Sequence, residues 1–153
     1  MTMATAIEPL TFSIEVDAPR EHAFRVFTEE IASWWPLEKF GILDGRDACF
    51  LEGRVGGRVY ERTPAGAEAI WGEVVVWEPP ARLVVSWSPT TTPRPRTEWE
   101  ARFSEHEGGT LLEFEHRGWE RLGEAAGEAR AEYAGGWATV LALYQKHAGS
   151  SAR

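Results

Sequence analysis

The chain has 153 residues, a length that suits one domain (1–153, core about 10–147) able to bury its own core without disulfides or a structural metal. A single cysteine, Cys49, excludes an internal disulfide, and a net charge of −8 disfavours nucleic acid, whose phosphates call for a concentration of Lys and Arg. The apolar runs fall far short of the roughly 18 residues needed to span a bilayer. The start "MTMATAIEPL" also lacks the basic and apolar regions of a signal peptide, so a cytoplasmic protein without membrane attachment is expected.

In "LTFSIEVDAP", Leu10, Phe12, Ile14 and Val16 alternate with polar residues, the pattern of a half-buried strand. Pro19 then opens a helix, "PREHAFRVFTE", with Ala23, Phe24 and Phe27 on one stripe. A second short helix, "EEIASWW", groups Ile31, Trp34 and Trp35 and stops at Pro36; an irregular loop follows to about Ala48. From Cys49 the apolar period drops to two. The segments "CFLEG", "GRVYERT", "AIWGEVVVWE", "RLVVSWS", "RTEWEARFSE" and "TLLEFEHR" are separated by short Gly- and Pro-rich breaks, which makes seven strands in a largely antiparallel sheet. One of these breaks, "PTTTPRP", carries Arg94 and leads to Arg96, the only locally basic loop, read as solvated.

After Gly118 the period returns to three or four. Ala126, Ala129, Tyr133, Gly136, Trp137, Val140 and Tyr144 form one stripe of a helix of about 24 residues, with Glu124, Glu128, Arg130, Glu132 and Gln145 opposite. The order of elements predicts an α+β domain in which a curved sheet wraps round the long helix.

Alternation assigns the inner face of most strands: Leu83, Val85 and Trp87; Thr97, Trp99, Ala101 and Phe103; Leu112, Phe114 and His116. In "AIWGEVVVWE" both faces are apolar, and the choice between Trp71, Val75 and Trp77 and the set Val74 and Val76 stays open. Several indoles therefore converge on one interior. They surround a helix that carries Gly135 and Gly136 in its middle, each costing about 1 kcal/mol relative to Ala. The pair is expected to form a notch at the helix–sheet interface, which either accommodates a neighbouring Trp or borders a cavity for a small apolar or aromatic molecule.

The order of these motifs resembles the helix-grip fold of the START and birch-pollen-allergen (SRPBCC) superfamily. Within it, the chain is similar to the branch related to the C-terminal domain of the heat-shock-protein-90 ATPase activator. The resemblance rests on "VDAPREHAFRVFT", Trp34 and Trp35, "VGGRV", "WGEV", "WEPPARLVVSW", "GGTLLEFEHRGW" and "YAGGW", and covers about Phe12 to Tyr144. It implies a cavity between sheet and long helix, in a superfamily whose members bind lipids, hormones and polyketides or act as cyclases and hydrolases.

Among titratable residues, His116 is turned inward and is either a general acid or base or a core histidine satisfied locally. Glu73 would join it inside only in the alternative register of its strand. His22, His106, His116 and His147 show no paired spacing, Cys49 has no neighbouring ligand, and neither a "GxSxG" elbow nor a phosphate loop is present, so no metal and no cofactor is expected. The leading expectation is a binding module for a small apolar or aromatic ligand, held by Trp35, Trp87, Trp99, Phe114, His116, Tyr133, Gly136 and Trp137. The alternatives are an enzyme of the cyclase or hydrolase type using His116, and a chaperone- or regulator-interacting protein. A protein partner or homodimer is compatible with all three.

Overall fold

The computed structural model describes residues 7–89 and 95–152; the first six residues and Arg94 of the basic loop lie outside it. Seven strands form one antiparallel sheet: β1 (Leu10–Val16), β2 (Ala48–Leu51), β3 (Arg58–Arg62), β4 (Glu68–Glu78), β5 (Arg82–Trp87), β6 (Thr97–His106) and β7 (Gly109–Arg117). Their spatial order is β1-β7-β6-β5-β4-β3-β2. Every sequential neighbour from β2 to β7 pairs through a hairpin, while β1 closes the far edge against β7, with Leu10 opposite His116 and Val16 opposite Thr110. The excursion between β1 and β2 holds α1 (Arg20–Thr28) and α2 (Ile31–Trp34), and after β7 a 3-10 segment (Trp119–Ala125) leads into α3 (Ala126–Ser151). This is the expected helix-grip arrangement.

The inner faces follow the alternation. Leu83, Val85, Trp87, Trp99, Ala101, Phe103, Leu112, Phe114 and His116 are all buried. The ambiguity in β4 is resolved by two bulges, which a strict period of two cannot anticipate. Against β3 the register slips between Val59 and Tyr60, and against β5 it slips between Val74 and Val76. Trp71 and Val74 are thereby both buried, Trp77 packs edge-on against Phe24 of α1, and Val75 is left 41% exposed. Gly72, between Trp71 and the opposing Trp87, has no room for a side chain, because a Cβ there would collide with the Ser86 carbonyl.

The helices cover the concave side. From α1, Ala23, Phe24 and Phe27 are buried, with Phe27 edge-on to Trp99, Phe103 and Tyr144. From α3, Trp137, Val140, Leu141 and Tyr144 are buried, and the Tyr144 hydroxyl donates to the Ala23 carbonyl at 2.6 Å, which ties the long helix to α1. A fully buried aromatic ring removes roughly 150–250 Å² from water, an upper estimate of about 4–6 kcal/mol each, so these rings dominate the cohesion of the two layers. On the convex side, Glu100 is only 5% exposed, because Arg82 (2.6 Å) and Arg117 (2.7 Å) cover it. Burial pushes its carboxyl up, but those two guanidinium groups outweigh that and hold it below the ordinary carboxylate range.

Candidate functional site

Between α3, the sheet and the irregular segment after α2 lies a pocket of about 320 Å³. Its wall is a run of indoles: Trp35 lies 5.1 Å from Trp71, 6.3 Å from Trp87 and 6.0 Å from Trp137, measured between ring centroids. Trp71 and Trp87 are 6.1 Å apart, and Trp87 and Trp137 6.0 Å. Rings this close leave no room between them, so the indoles present a continuous aromatic surface rather than an open cage. The rest of the lining includes Phe40 and Ile42 of the irregular segment, and Tyr133 and Val140 of α3; Lys39 and Glu132 supply the formal charges in the lining.

The expected site residues divide into two groups. Trp35, Trp87, Tyr133, Gly136 and Trp137 line the pocket. Trp99, Phe114 and His116 do not; they form the layer beneath Trp137, whose ring centroid is 5.8 Å from Trp99, 4.5 Å from Phe114 and 6.0 Å from His116. Alternation along a strand reveals the inner face but not depth, and the large Trp137 indole screens these three from the pocket. Trp71, Phe40 and Ile42 take their place.

His116 is fully buried, and both ring nitrogens are engaged. The Trp137 indole N–H donates to Nδ1 at 2.8 Å, so the neutral ring carries its proton on Nε2, which lies 2.7 Å from the Thr97 hydroxyl. The Thr97 hydroxyl in turn donates to the Trp87 carbonyl at 3.4 Å. Burial lowers the His116 pKa from 6.5 to about 3, which keeps the imidazole neutral. With no free nitrogen and no open face, His116 orients Trp137 and is unsuited to proton transfer with a molecule in the pocket. Trp119, which sequence periodicity passed over, caps this cluster: it is fully buried, donates to the His116 carbonyl at 2.9 Å and lies 5.4 Å from the Tyr133 ring. The indole N–H groups of Trp87 and Trp99 are buried without an acceptor among the described residues, at a cost of about 1–3 kcal/mol each.

The glycine pair is not the shared notch that the sequence suggests. Gly135 is exposed, and a Cβ there would meet nothing within 4 Å; only Gly136 faces the interior, where a Cβ would come 3.7 Å from the Phe40 ring. The reason is angular: adjacent helical residues lie about 100° apart, so only one of two can face the seam. Its neighbour is a loop side chain, not the sheet.

The buried carboxylate that Glu73 was a candidate to supply comes from elsewhere. Glu73 is exposed, whereas Glu61 of β3 is fully buried. Its carboxylate accepts from the Ile42 N–H (2.6 Å), the Leu43 N–H (2.8 Å) and the Trp71 indole N–H (2.7 Å). Period two in "GRVYERT" places Glu61 on the same face as buried Val59, a signal the sequence did contain. Cys49, paired directly with Glu61 across β2 and β3, is pushed up to about 12 by burial and by that carboxylate. Among the described residues, one trio of ligating side chains comes within metal-binding reach, Glu15, His106 and Glu107; it combines β1 with the β6–β7 turn, which no local spacing could reveal.

The comparisons with known proteins agree with this geometry. Activator of Hsp90 ATPase homolog 1-like proteins match residues 17–146. An anthrahydroquino-γ-pyrone synthase, Txn09, solved as a complex, is 32% identical, with a TM-score of 0.56 over 80% of this chain and 84% of its own. The Aha1 dimer from Colwellia psychrerythraea shares 16% identity at a TM-score of 0.64, over 91% and 94% of the two chains. A protein from Mesorhizobium loti shares 17% at 0.67, over 91% and 95%. No curated protein matches the chain. No helix among the described residues is long and apolar enough to cross a membrane. With its helix-grip sheet, its long closing helix and a family match spanning most of its length, the chain belongs to the activator of Hsp90 ATPase homolog 1-like branch of the SRPBCC superfamily.

Proposed function

We propose that the protein is a small-molecule binding module that takes a flat aromatic or apolar ligand against the indole wall of the pocket between α3 and the sheet. The observation that carries this reading is the continuity of Trp35, Trp71, Trp87 and Trp137 along one side of a 320 Å³ space. Such a surface gains stacking and apolar contact from a planar ring system, and a volume near 300 Å³ is at the small end of ligand sites. Lys39 and Glu132 give polar substituents on the ligand something to meet. A cytoplasmic location belongs to the same proposal, because the lone, unpaired Cys49 suits a reducing compartment.

The 32%-identical synthase favours a second reading, in which the bound molecule is also converted. In that case chemistry falls to Tyr133, Lys39 or Glu132, the ionisable side chains that line the pocket, and not to His116. A homodimer, like that of the Colwellia structure, is a separate proposal and places no demand on the pocket.

Titration with 1-anilinonaphthalene-8-sulfonate and with anthraquinone, followed by intrinsic Trp fluorescence, tests the binding reading. Saturable quenching that Trp35→Ala weakens at least about fivefold, the scale of about 1 kcal/mol from one lost aromatic contact, supports it. Linear, non-saturating quenching by both probes rejects it. Turnover abolished in Tyr133→Phe with probe affinity retained would select the enzymatic reading.

A further inference from the structure

Residues 36–47 contain neither helix nor strand, yet they form one side of the pocket through Lys39, Phe40, Gly41 and Ile42. Arg46 makes this segment a unit in itself: its guanidinium donates to the carbonyls of Leu37 (2.8 Å), Leu43 (2.8 Å) and Glu38 (3.2 Å), all within the segment. Gly41 lies directly under that side chain, where a Cβ would collide with the guanidinium group. At its start, the Trp35 indole N–H donates to the Phe40 carbonyl at 2.9 Å. At its end, the Asp47 N–H donates to the Arg62 carbonyl at 3.1 Å, where β2 begins.

Between those two ends, among the described residues, the hydrogen bonds from the segment to the sheet are the two that Glu61 accepts, from the N–H groups of Ile42 and Leu43. The third bond to the same carboxylate comes from Trp71, which is part of the pocket wall. One buried side chain thus joins the strap to the surface that the ligand would stack on. Phe40 completes the closure by resting over Gly136, the one position on the facing stretch of α3 without a side chain.

We infer that residues 36–47 are a strap over the pocket, that Glu61 is its latch, and that release of this latch sets how fast a ligand enters and leaves. Glu61 is a positioning residue: it does not line the pocket and acts through the strap and Trp71. A carboxylate suits the role because both oxygens accept, so three N–H donors are satisfied at once without a competing donor in the cluster. Phe40 meets α3 at Gly136 at ordinary van der Waals distance, 3.7 Å from where a Cβ would stand, so the strap rests on this position without demanding a glycine there. The inference rests on the pocket being a ligand site, and its test is arranged so that the two stand or fall separately.

The first measurement needs no ligand. Amide hydrogen exchange of the intact protein is compared with that of Glu61→Gln, which keeps the shape of the side chain but turns one acceptor oxygen into a donor amide. Exchange at Ile42 and Leu43 is expected to accelerate about tenfold or more, the scale of a lost charge-assisted bond, with Leu112 and Phe114 of β7, far across the sheet from β3, unchanged. Unchanged exchange at Ile42 and Leu43 overturns the latch, and so does uniform acceleration across the sheet, which would make Glu61 a residue of general stability. The second measurement is stopped-flow binding of 1-anilinonaphthalene-8-sulfonate. Association and dissociation are both expected to quicken by a similar factor in Glu61→Gln, with Kd shifted by less than about threefold; a change confined to Kd and dissociation overturns the gating role. Should Glu61→Gln fail to fold, Arg46→Met loosens the strap from its exposed side and must show the same pattern. If the dye binds neither variant nor the intact protein, the ligand reading fails, while exchange at Ile42 and Leu43 still decides the latch.

Discussion

Burial of a neutral His116, with both ring nitrogens hydrogen-bonded, makes the folded protein sensitive to mild acid. In the unfolded chain the imidazole has its ordinary pKa of 6.5, and in the folded state about 3, lowered by burial. Below pH 6.5 the unfolded state therefore binds a proton that the folded state refuses, and each unit of pH costs the native state 1.36 kcal/mol. From about pH 7 to about pH 5 the predicted loss is about 2 kcal/mol, most of it gathered below 6.5. Glu100, Glu52 and Glu68, all held below the ordinary carboxylate range, begin to give up their own contributions only at lower pH, so they do not obscure this window. The assay is urea unfolding at several pH values between these limits, for the intact protein and for His116→Gln. The variant is expected to start about 2 kcal/mol lower at neutral pH, because Trp137 and Thr97 lose their partner, and then to show a nearly flat profile. An intact protein whose stability does not fall between pH 7 and pH 5, or a variant with the same slope, would refute the buried neutral histidine.

Two further outcomes separate features that look alike in the sequence. Gly135→Ala adds a methyl to an open helix surface and is expected to stabilise the protein by about 1 kcal/mol without altering probe binding. Gly136→Ala gains the same helical preference and sets its Cβ at an ordinary 3.7 Å contact with Phe40, at the pocket, so melting temperature should rise in both variants and a change in probe affinity should be confined to this one; a larger effect of Gly135→Ala on affinity would contradict the assigned geometry. Cys49, buried beside Glu61 with its thiol pushed up to about 12, is expected to resist Ellman's reagent at neutral pH until the protein is denatured, and rapid labelling of the native protein would place it elsewhere.

The strands and their inward residues were legible because each depends on a local period. Leu83, Val85 and Trp87, or Leu112, Phe114 and His116, face inward for the same reason that neighbouring side chains face out. What escaped depends on contacts between segments distant in sequence. Two bulges in β4 let Trp71 and Val74 share the interior, and bulges leave no mark in composition. Trp99 and Phe114 are as inward as Trp87, yet Trp137 covers them and not it, a matter of depth that periodicity does not carry. The same limit explains why the donors that Glu61 serves, Ile42, Leu43 and Trp71, could not be read from its strand, and why the partner of Gly136 is Phe40 from 96 residues earlier in the chain.

These displacements from expectation share a physical origin. A sheet strewn with indoles cannot be closed by a helix alone, since rigid rings of this size leave irregular space at their margins. Here the space is bounded on one side by Trp137, fixed in orientation by a neutral His116, and on the other by a segment with no regular structure of its own. Such a segment has no helix or strand ladder to take up its backbone N–H groups; turn bonds to Trp35 and Pro36 take those of Leu37, Lys39 and Phe40, and Glu61 accepts from Ile42 and Leu43 from inside the sheet. A carboxylate buried for that purpose is costly unless it is well hydrogen-bonded, and Trp71 adds a third donor. The pocket wall, the strap and the charge that joins them are thus consequences of one packing problem, and for that reason Glu61→Gln is expected to alter the strap before it alters the fold.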